Sequence, residues 1–173
     1  MSGEAHPCRV IGIGNPDRGD DGAGRAVARW LEDHLPPGIE VIELDGEASA
    51  LLAALDGVAA VYLVDTCVSS AAAGSVRRFD VATAPLPQEA FSLSTHGLGL
   101  AEAVELARAL EALPPRCIVY AIEGADFEAG MPLSPPVAAA IAEVGTLVLG
   151  EIACEHQSEI GGVERLAGSV KTG

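Results

Sequence analysis

Aromatic residues are scarce in this 173-residue chain, at 3% of the total. That leaves too few rings for the stacking platforms that hold single-stranded nucleic acids. Basic residues are few as well: 10 Lys and Arg stand against 25 Asp and Glu, a formal charge of -15. Phosphate backbones and anionic lipid surfaces both need clustered positive charge, so neither nucleic acid nor membrane is an expected partner. The acidity suits a solvated surface that maintains solubility, or a basic partner. No stretch reads as the roughly 20 apolar residues of a transmembrane helix. The opening MSGEAHPCRV also lacks the basic start and long apolar stretch of a secretory signal, which makes the cytoplasm the expected location. The four cysteines, Cys8, Cys67, Cys117 and Cys154, are scattered without a CxxC pair. That spacing argues against a zinc ribbon or disulfide scaffold and for ordinary reduced thiols.

Small aliphatic residues dominate instead. With 49% hydrophobic content, the chain can build one sizeable core, and a single domain over 1–154 is expected. Val10 to Gly14 reads as a short buried strand entering a turn rich in Gly and Asp. Ala23, Ala26, Val27, Trp30, Leu31 and Leu35 then recur at helical spacing until Pro36-Pro37-Gly38 stops them. The alternation continues: strand Ile39 to Leu44, short helix Ala48 to Leu55, and a very apolar strand Ala59 to Val64 ending at Asp65. Ser75 to Phe79 suits a strand of different direction, Leu98 to Leu113 is helical by period, and Cys117 to Ile122 is another buried strand. A last helix follows, with Ser134 as N-cap, Pro135 and Pro136 in the first turn, and Val137, Ile141, Val144, Val148 and Ile152 on one face. This order predicts a three-layer α/β fold, a mostly parallel twisted sheet of about five strands with helices on both faces. From about Glu155 the chain is polar and Gly-rich without periodicity, and a disordered tail over 155–173 is expected.

In such sheets ligands bind beyond the carboxyl ends of the strands. Three places there carry chemistry. The first is the loop from Gly12 to Gly24, which fails the dinucleotide fingerprint because Asp17 stands three residues after Gly14. Its Asp17, Asp20 and Asp21 would repel a pyrophosphate. A turn this rich in Gly positions carboxylates instead, although Asp20 or Asp21 can also simply cap the following helix. The second place is Asp65, at the end of a strand where an ionised carboxylate is expensive unless a cation or several donors compensate it. The alternative role for Asp65 is to cap the turn Thr66-Cys67-Val68. The third is His96, a lone histidine of little weight by itself. Together with two carboxylates, its imidazole completes a three-ligand set able to hold a divalent ion and leave positions open.

Four segments in order, Gly12 to Gly24, Glu43-Leu44-Asp45-Gly46, Leu63-Val64-Asp65 and Ser94-Thr95-His96, resemble the motif set of the hydrogenase maturation proteases. The similarity spans roughly Arg9 to Leu149 and is loose beyond Gly124. It implies a hydrolase that removes the C-terminal extension of a nickel-iron hydrogenase large-subunit precursor after nickel insertion. In that family an acidic residue of the first loop, an Asp after the buried strand and a His bind the nickel-site region of the substrate. Position by position these roles fall on Asp21, Asp65 and His96, as metal ligands and catalytic residues. Some members have Glu at the first position, so Asp21 keeps the pattern with a shorter reach. The Asp45-Gly46 pair matches a segment implicated in substrate recognition, and Gly12, Gly14, Asn15 and Gly22 shape the first loop. The nickel is expected to arrive with the substrate, and other divalent ions can occupy the site in vitro.

Three other readings fit the same residues. Cys67, two residues after Asp65, could be a nucleophile with His96 as its base. The ligand set could belong to a non-catalytic nickel-dependent chaperone or adaptor for the hydrogenase subunit. A generic nucleotide-binding α/β module is the weakest of the three.

Overall fold

A computed structural model describes residues 8–91 and 99–167, with side chains described to Glu155. Ser94, Thr95, His96 and Gly97 therefore lie outside the described residues. Among the described residues five strands and four helices follow in the order β1 (Cys8–Ile13), α1 (Ala23–Glu32), β2 (Glu40–Leu44), α2 (Ala48–Leu55), β3 (Ala60–Cys67), β4 (Val76–Asp80), α3 (Leu100–Ala109), β5 (Arg116–Glu123) and α4 (Pro135–Ala167). Short 3-10 turns at Gly19–Gly22 and Gln88–Phe91 precede α1 and α3. The sheet order is β2-β1-β3-β5-β4. Pairing is parallel except that β4 runs antiparallel to β5, with Val76 opposite Ile122. The α/β class holds; the sheet is mixed through β4, the segment whose different direction the sequence suggested.

Alternation along each central strand supplies two cores, because successive side chains point to opposite faces. Ile11, Leu63 and Val119 pack with Leu51, Leu55 and Val104 of α2 and α3. Val10, Tyr62 and Ile118 pack with Val27 and Leu31 of α1 and Val144 and Val148 of α4. Since helices cover both faces, β3 and β5 are apolar almost throughout.

Several boundaries differ from expectation. α1 stops at Glu32 instead of reaching Leu35, because the amides of His34 and Leu35 both turn back to the Leu31 carbonyl ahead of the prolines. α3 stops at Ala109, and Glu111 takes a left-handed φ of 56°. That turn swings Leu113 onto the core beneath α2 and α3. β3 continues through Asp65 to Cys67, because Asp65, Thr66 and Cys67 still pair with Ala121, Ile122 and Glu123. α4 runs on to Ala167, so the first part of the 155–173 segment, expected as a disordered tail after a domain over 1–154, continues the helix. Within it, Pro135–Glu155 is long and apolar enough to cross a membrane by length and composition, which no stretch of the sequence was expected to be. Its Val137, Ala140, Val144, Val148 and Ile152 pack on the sheet, the buried stripe of a core helix, and core helices pass the same test.

Candidate functional site

The strand order puts the topological switch point between β1 and β3. From β1 the chain crosses by α1 to β2 on one side, and then returns by α2 to β3 on the other. A crevice opens at such a point beyond the carboxyl ends of the strands, and both the Gly and Asp-rich loop and Asp65 lie there.

The loop is held by backbone geometry before any side chain acts. Gly14 has a φ of +134°, and a Cβ there would fall 1.8 Å from the Asp21 carbonyl oxygen. Only glycine meets both conditions. Gly12 and Gly24 let α1 lie directly on the sheet: a Cβ on Gly12 would meet the Gly24 carbonyl at 2.4 Å, and one on Gly24 would meet the Val64 carbonyl at 2.2 Å. A Cβ on Gly22 would sit 2.9 Å from Pro16 Cα, so the turn closes on itself. Asn15 accepts the Asp17 amide at 2.9 Å through its side chain, and its own amide donates to Asp21 Oδ2 at 3.2 Å. The result aims a half-buried Asp21 carboxylate toward β3.

Asp65 is the one half-buried position in the otherwise buried latter part of β3. Its Oδ1 accepts the Thr66 amide at 2.7 Å, so the turn-capping role read from sequence is real in part. Packing around the carboxyl raises its pKa to about 8; the Thr66 amide opposes the rise, and the negative charge of Asp21 adds to it. Asp21 and Asp65, 44 positions apart in sequence, are thus close enough for one charge to be felt by the other. Near neutral pH and without a cation, the pair holds a proton. A divalent ion would relieve both burdens, since carboxylate oxygens are ligands for such ions. His96 lies outside the described residues, so the position of the third expected ligand is not among them. No group of three or more metal-ligating side chains forms among the described residues alone.

The Asp45-Gly46 turn reaches the same rim. The Gly14 amide donates to the Leu44 carbonyl at 3.0 Å, joining the end of β2 to the start of the Asp loop. Glu43 anchors that end, accepting from Arg25 at 2.6 Å and from Arg29 at 2.8 and 2.9 Å. Asp45 accepts the Glu47 amide at 3.1 Å and is otherwise exposed to solvent.

Asp20 does not cap α1, which has no side-chain cap. It points the other way, fully buried, and ties the segment after β5 to the Asp loop. One oxygen accepts the amides of Ala125 and Asp126 at 2.8 and 3.0 Å and the Ser134 hydroxyl at 2.9 Å, while the other accepts the Ser134 amide at 2.6 Å. Burial alone would raise its pKa, but these bonds outweigh burial and hold the carboxyl below its ordinary value. Ser134 stands at the N-cap position of α4, its carbonyl accepting the Ala138 amide at 2.8 Å, while its hydroxyl goes to Asp20. The Thr66 hydroxyl donates to the Asp20 carbonyl at 2.7 Å, which links this strut to β3 next to Asp65.

A family model for hydrogenase maturation proteases, HycI, matches residues 26–151, well over half of the chain. The chain belongs to the hydrogenase maturation protease family. It is accordingly a hydrolase, an endopeptidase, and a merely adaptor role is set aside. The match takes in Asp45, Gly46, Asp65 and His96 and begins after Asp21. The fold is similar to that of the hydrogenase maturating endopeptidase HybD from E. coli, with 23% identity, 86% of this chain and 93% of that one covered, and a TM-score of 0.69. An endopeptidase from Escherichia coli solved in solution gives 23% identity, 83% and 90% coverage and a TM-score of 0.71. The [NiFe] hydrogenase maturation protease HycI from Thermococcus kodakarensis KOD1 gives 19%, 86% and 93%, and 0.65. No curated protein matches the chain.

In this maturation protease the Cys67 thiol is poorly suited to act as nucleophile. It is 1% exposed, and burial pushes its pKa up to about 11, so the thiolate needed for attack is rare at neutral pH. Its Sγ donates to Glu123 Oε2 at 3.4 Å and receives Arg77 at 3.4 Å. Glu123, itself 2% exposed, also accepts the Ser69 amide at 2.5 Å and hydroxyl at 2.9 Å, fixing the segment after Asp65. Sequence reasoning passed over Glu123 as a buried anchor. The available signal was the one used for Asp65, an acidic residue ending an apolar central strand.

Proposed function

We propose that this maturation protease removes the C-terminal extension of a nickel-iron hydrogenase large-subunit precursor, and that it does so after nickel has been inserted. The observation that carries this reading is the Asp21–Asp65 pair at the switch point of a family member's sheet: burial of the Asp65 carboxyl, with the nearby charge of Asp21 added, is a burden a cation would relieve. Asp21, Asp65 and His96 would complete the coordination of the nickel already held by the precursor, making the metal the feature inspected before cleavage. Asp65 gives up its proton as the ion arrives, and His96 must be neutral to bind. Nickel brought by the precursor and held by these residues would supply polarisation of the scissile carbonyl or activation of the attacking water. The Asp45-Gly46 turn contacts the substrate beside the cleaved bond. The cytoplasm, where the precursor would be met before assembly, is the proposed location.

The test is a purified precursor, with and without nickel, incubated with the protein and weighed by mass spectrometry. Loss of the extension only from the nickel-loaded form is the expected result. Equal processing of both forms, or of neither, contradicts the checkpoint. His96→Ala and Asp65→Ala should each abolish processing; normal processing by either variant removes that residue from the ligand set.

A further inference from the structure

We propose that the free edge of β2 receives the substrate's extension, which adds a strand antiparallel to β2 and seats an apolar side chain in the hollow at its foot. This rests on the endopeptidase reading above. A protease that cuts a flexible extension must hold it extended, and a sheet edge does so with main-chain hydrogen bonds while a side-chain pocket supplies specificity. The sheet offers two edges. β4 is separated from β3 by β5, and its Arg78 is tied to Glu151 of α4. β2 pairs only with β1, is half-exposed over most of its length, and has no strand on its outer side among the described residues. Its last residue, Leu44, accepts the Gly14 amide, so the strand ends against the loop that presents Asp21.

At the other end of β2, Glu32, Leu35, Pro36, Pro37, Ile39 and Val41 line an open hollow of about 310 Å³. All but Glu32 are apolar. The volume is at the small end for ligand sites and suits one large apolar side chain. The edge thus runs without a break from the candidate site to an apolar pocket, and this continuity decides the occupant. The nickel-bearing body of the substrate lies over Asp21 and Asp65, so the chain beyond the cleaved bond leaves past Asp45-Gly46 and runs down β2 toward Pro36. At about 3.4 Å per residue it reaches the hollow some six residues past the bond.

The experiment uses the nickel-loaded large-subunit precursor as probe. Pro37→Trp, at an exposed position on the rim of the hollow, fills it without replacing a buried core residue. We expect KM for the full-length precursor to rise about tenfold, and the amides of Glu40 to Leu44 to gain hydrogen-exchange protection when precursor binds the wild-type protein. A precursor cut back to about four residues past the bond should already show the raised KM, with Pro37→Trp adding nothing further. Efficient cleavage by the wild-type protein with no protection at β2 and no change in KM for Pro37→Trp overturns the proposal and leaves the protease reading standing. If the wild-type protein cleaves no precursor, it is the protease reading that fails.

Discussion

Replacing Asp65 by asparagine keeps the shape and the acceptor for the Thr66 amide but removes the charge. In the folded protein the Asp65 carboxyl binds a proton up to about pH 8, whereas its ordinary value is 3.8. A folded-state pKa above the unfolded one means that the folded state holds the extra proton between the two values. The stability this group contributes is fully present below the lower value and is lost as pH rises through the upper one. The whole gap corresponds to about 6 kcal/mol at 1.36 kcal/mol per pH unit. About two-thirds of that gap lies above pH 5, and solvent reach and relaxation weaken the effect further, so about 2 kcal/mol is the working expectation for the part lost above pH 5. Urea unfolding of metal-free protein from pH 5 to 8.5, wild type beside Asp65→Asn, isolates the contribution because other titrating groups cancel in the difference. Wild type should lose about 2 kcal/mol relative to the variant across that range. Parallel stability profiles would refute the reasoning, since they would mean that Asp65 is ionised throughout.

Asp20→Ala leaves three part-buried amides and a hydroxyl without their acceptor, and a loss of about 3 kcal/mol in urea unfolding at pH 7 is expected. Because the Asp20 carboxyl is held below its ordinary value, wild type should lose this contribution as pH falls into the acid range, and a variant as stable as wild type at pH 7 would dismiss the strut. Cys67→Ser should still process nickel-loaded precursor, read by mass spectrometry; complete inactivity in a folded variant would restore the thiol as nucleophile. Processing should weaken below about pH 6.5, where a free imidazole gains its proton, and a flat rate from neutral to mildly acid pH would count against His96 as ligand. Gly14→Ala should destabilise by about 2 kcal/mol or more in thermal unfolding, since strain at a positive φ is joined by a Cβ pressed onto the Asp21 carbonyl; an unchanged midpoint would show that the loop is not held as described.

Most of the fold is legible in the sequence because its signals are periodic. The apolar run Val61-Tyr62-Leu63-Val64 has no polar face to show to water, so it can only be a central strand, and the heptad-like spacing from Val137 to Ile152 can only be a buried helix face. Boundaries are less legible where tertiary contacts outweigh pattern. Leu35 continues the helical spacing of α1, yet it sits in a turn, and Leu113 reaches the core through the left-handed Glu111. Asp65 could be proposed from its place after an apolar strand, whereas Asp21 was singled out from the other acids of its loop only by the family resemblance; the two do approach each other. The direction of Asp20 could not be read: its partners, Ala125, Asp126 and Ser134, are more than 100 residues away, and no local pattern announces a bond over that distance. Ser134 does stand at the N-cap position its sequence suggests, but its hydroxyl bond to Asp20, 114 positions away, could not be read for the same reason.

The central claim is that Asp21, Asp65 and His96 meet around one ion. Crystals of the protein grown with a divalent cation, with the ion placed by its anomalous signal, test it most directly. The account predicts a single ion at the switch point, with an oxygen from each carboxylate and one imidazole nitrogen at roughly 2.0–2.2 Å. An ion bound elsewhere, or one held by the carboxylates with the His96 ring directed away from it, would contradict the account.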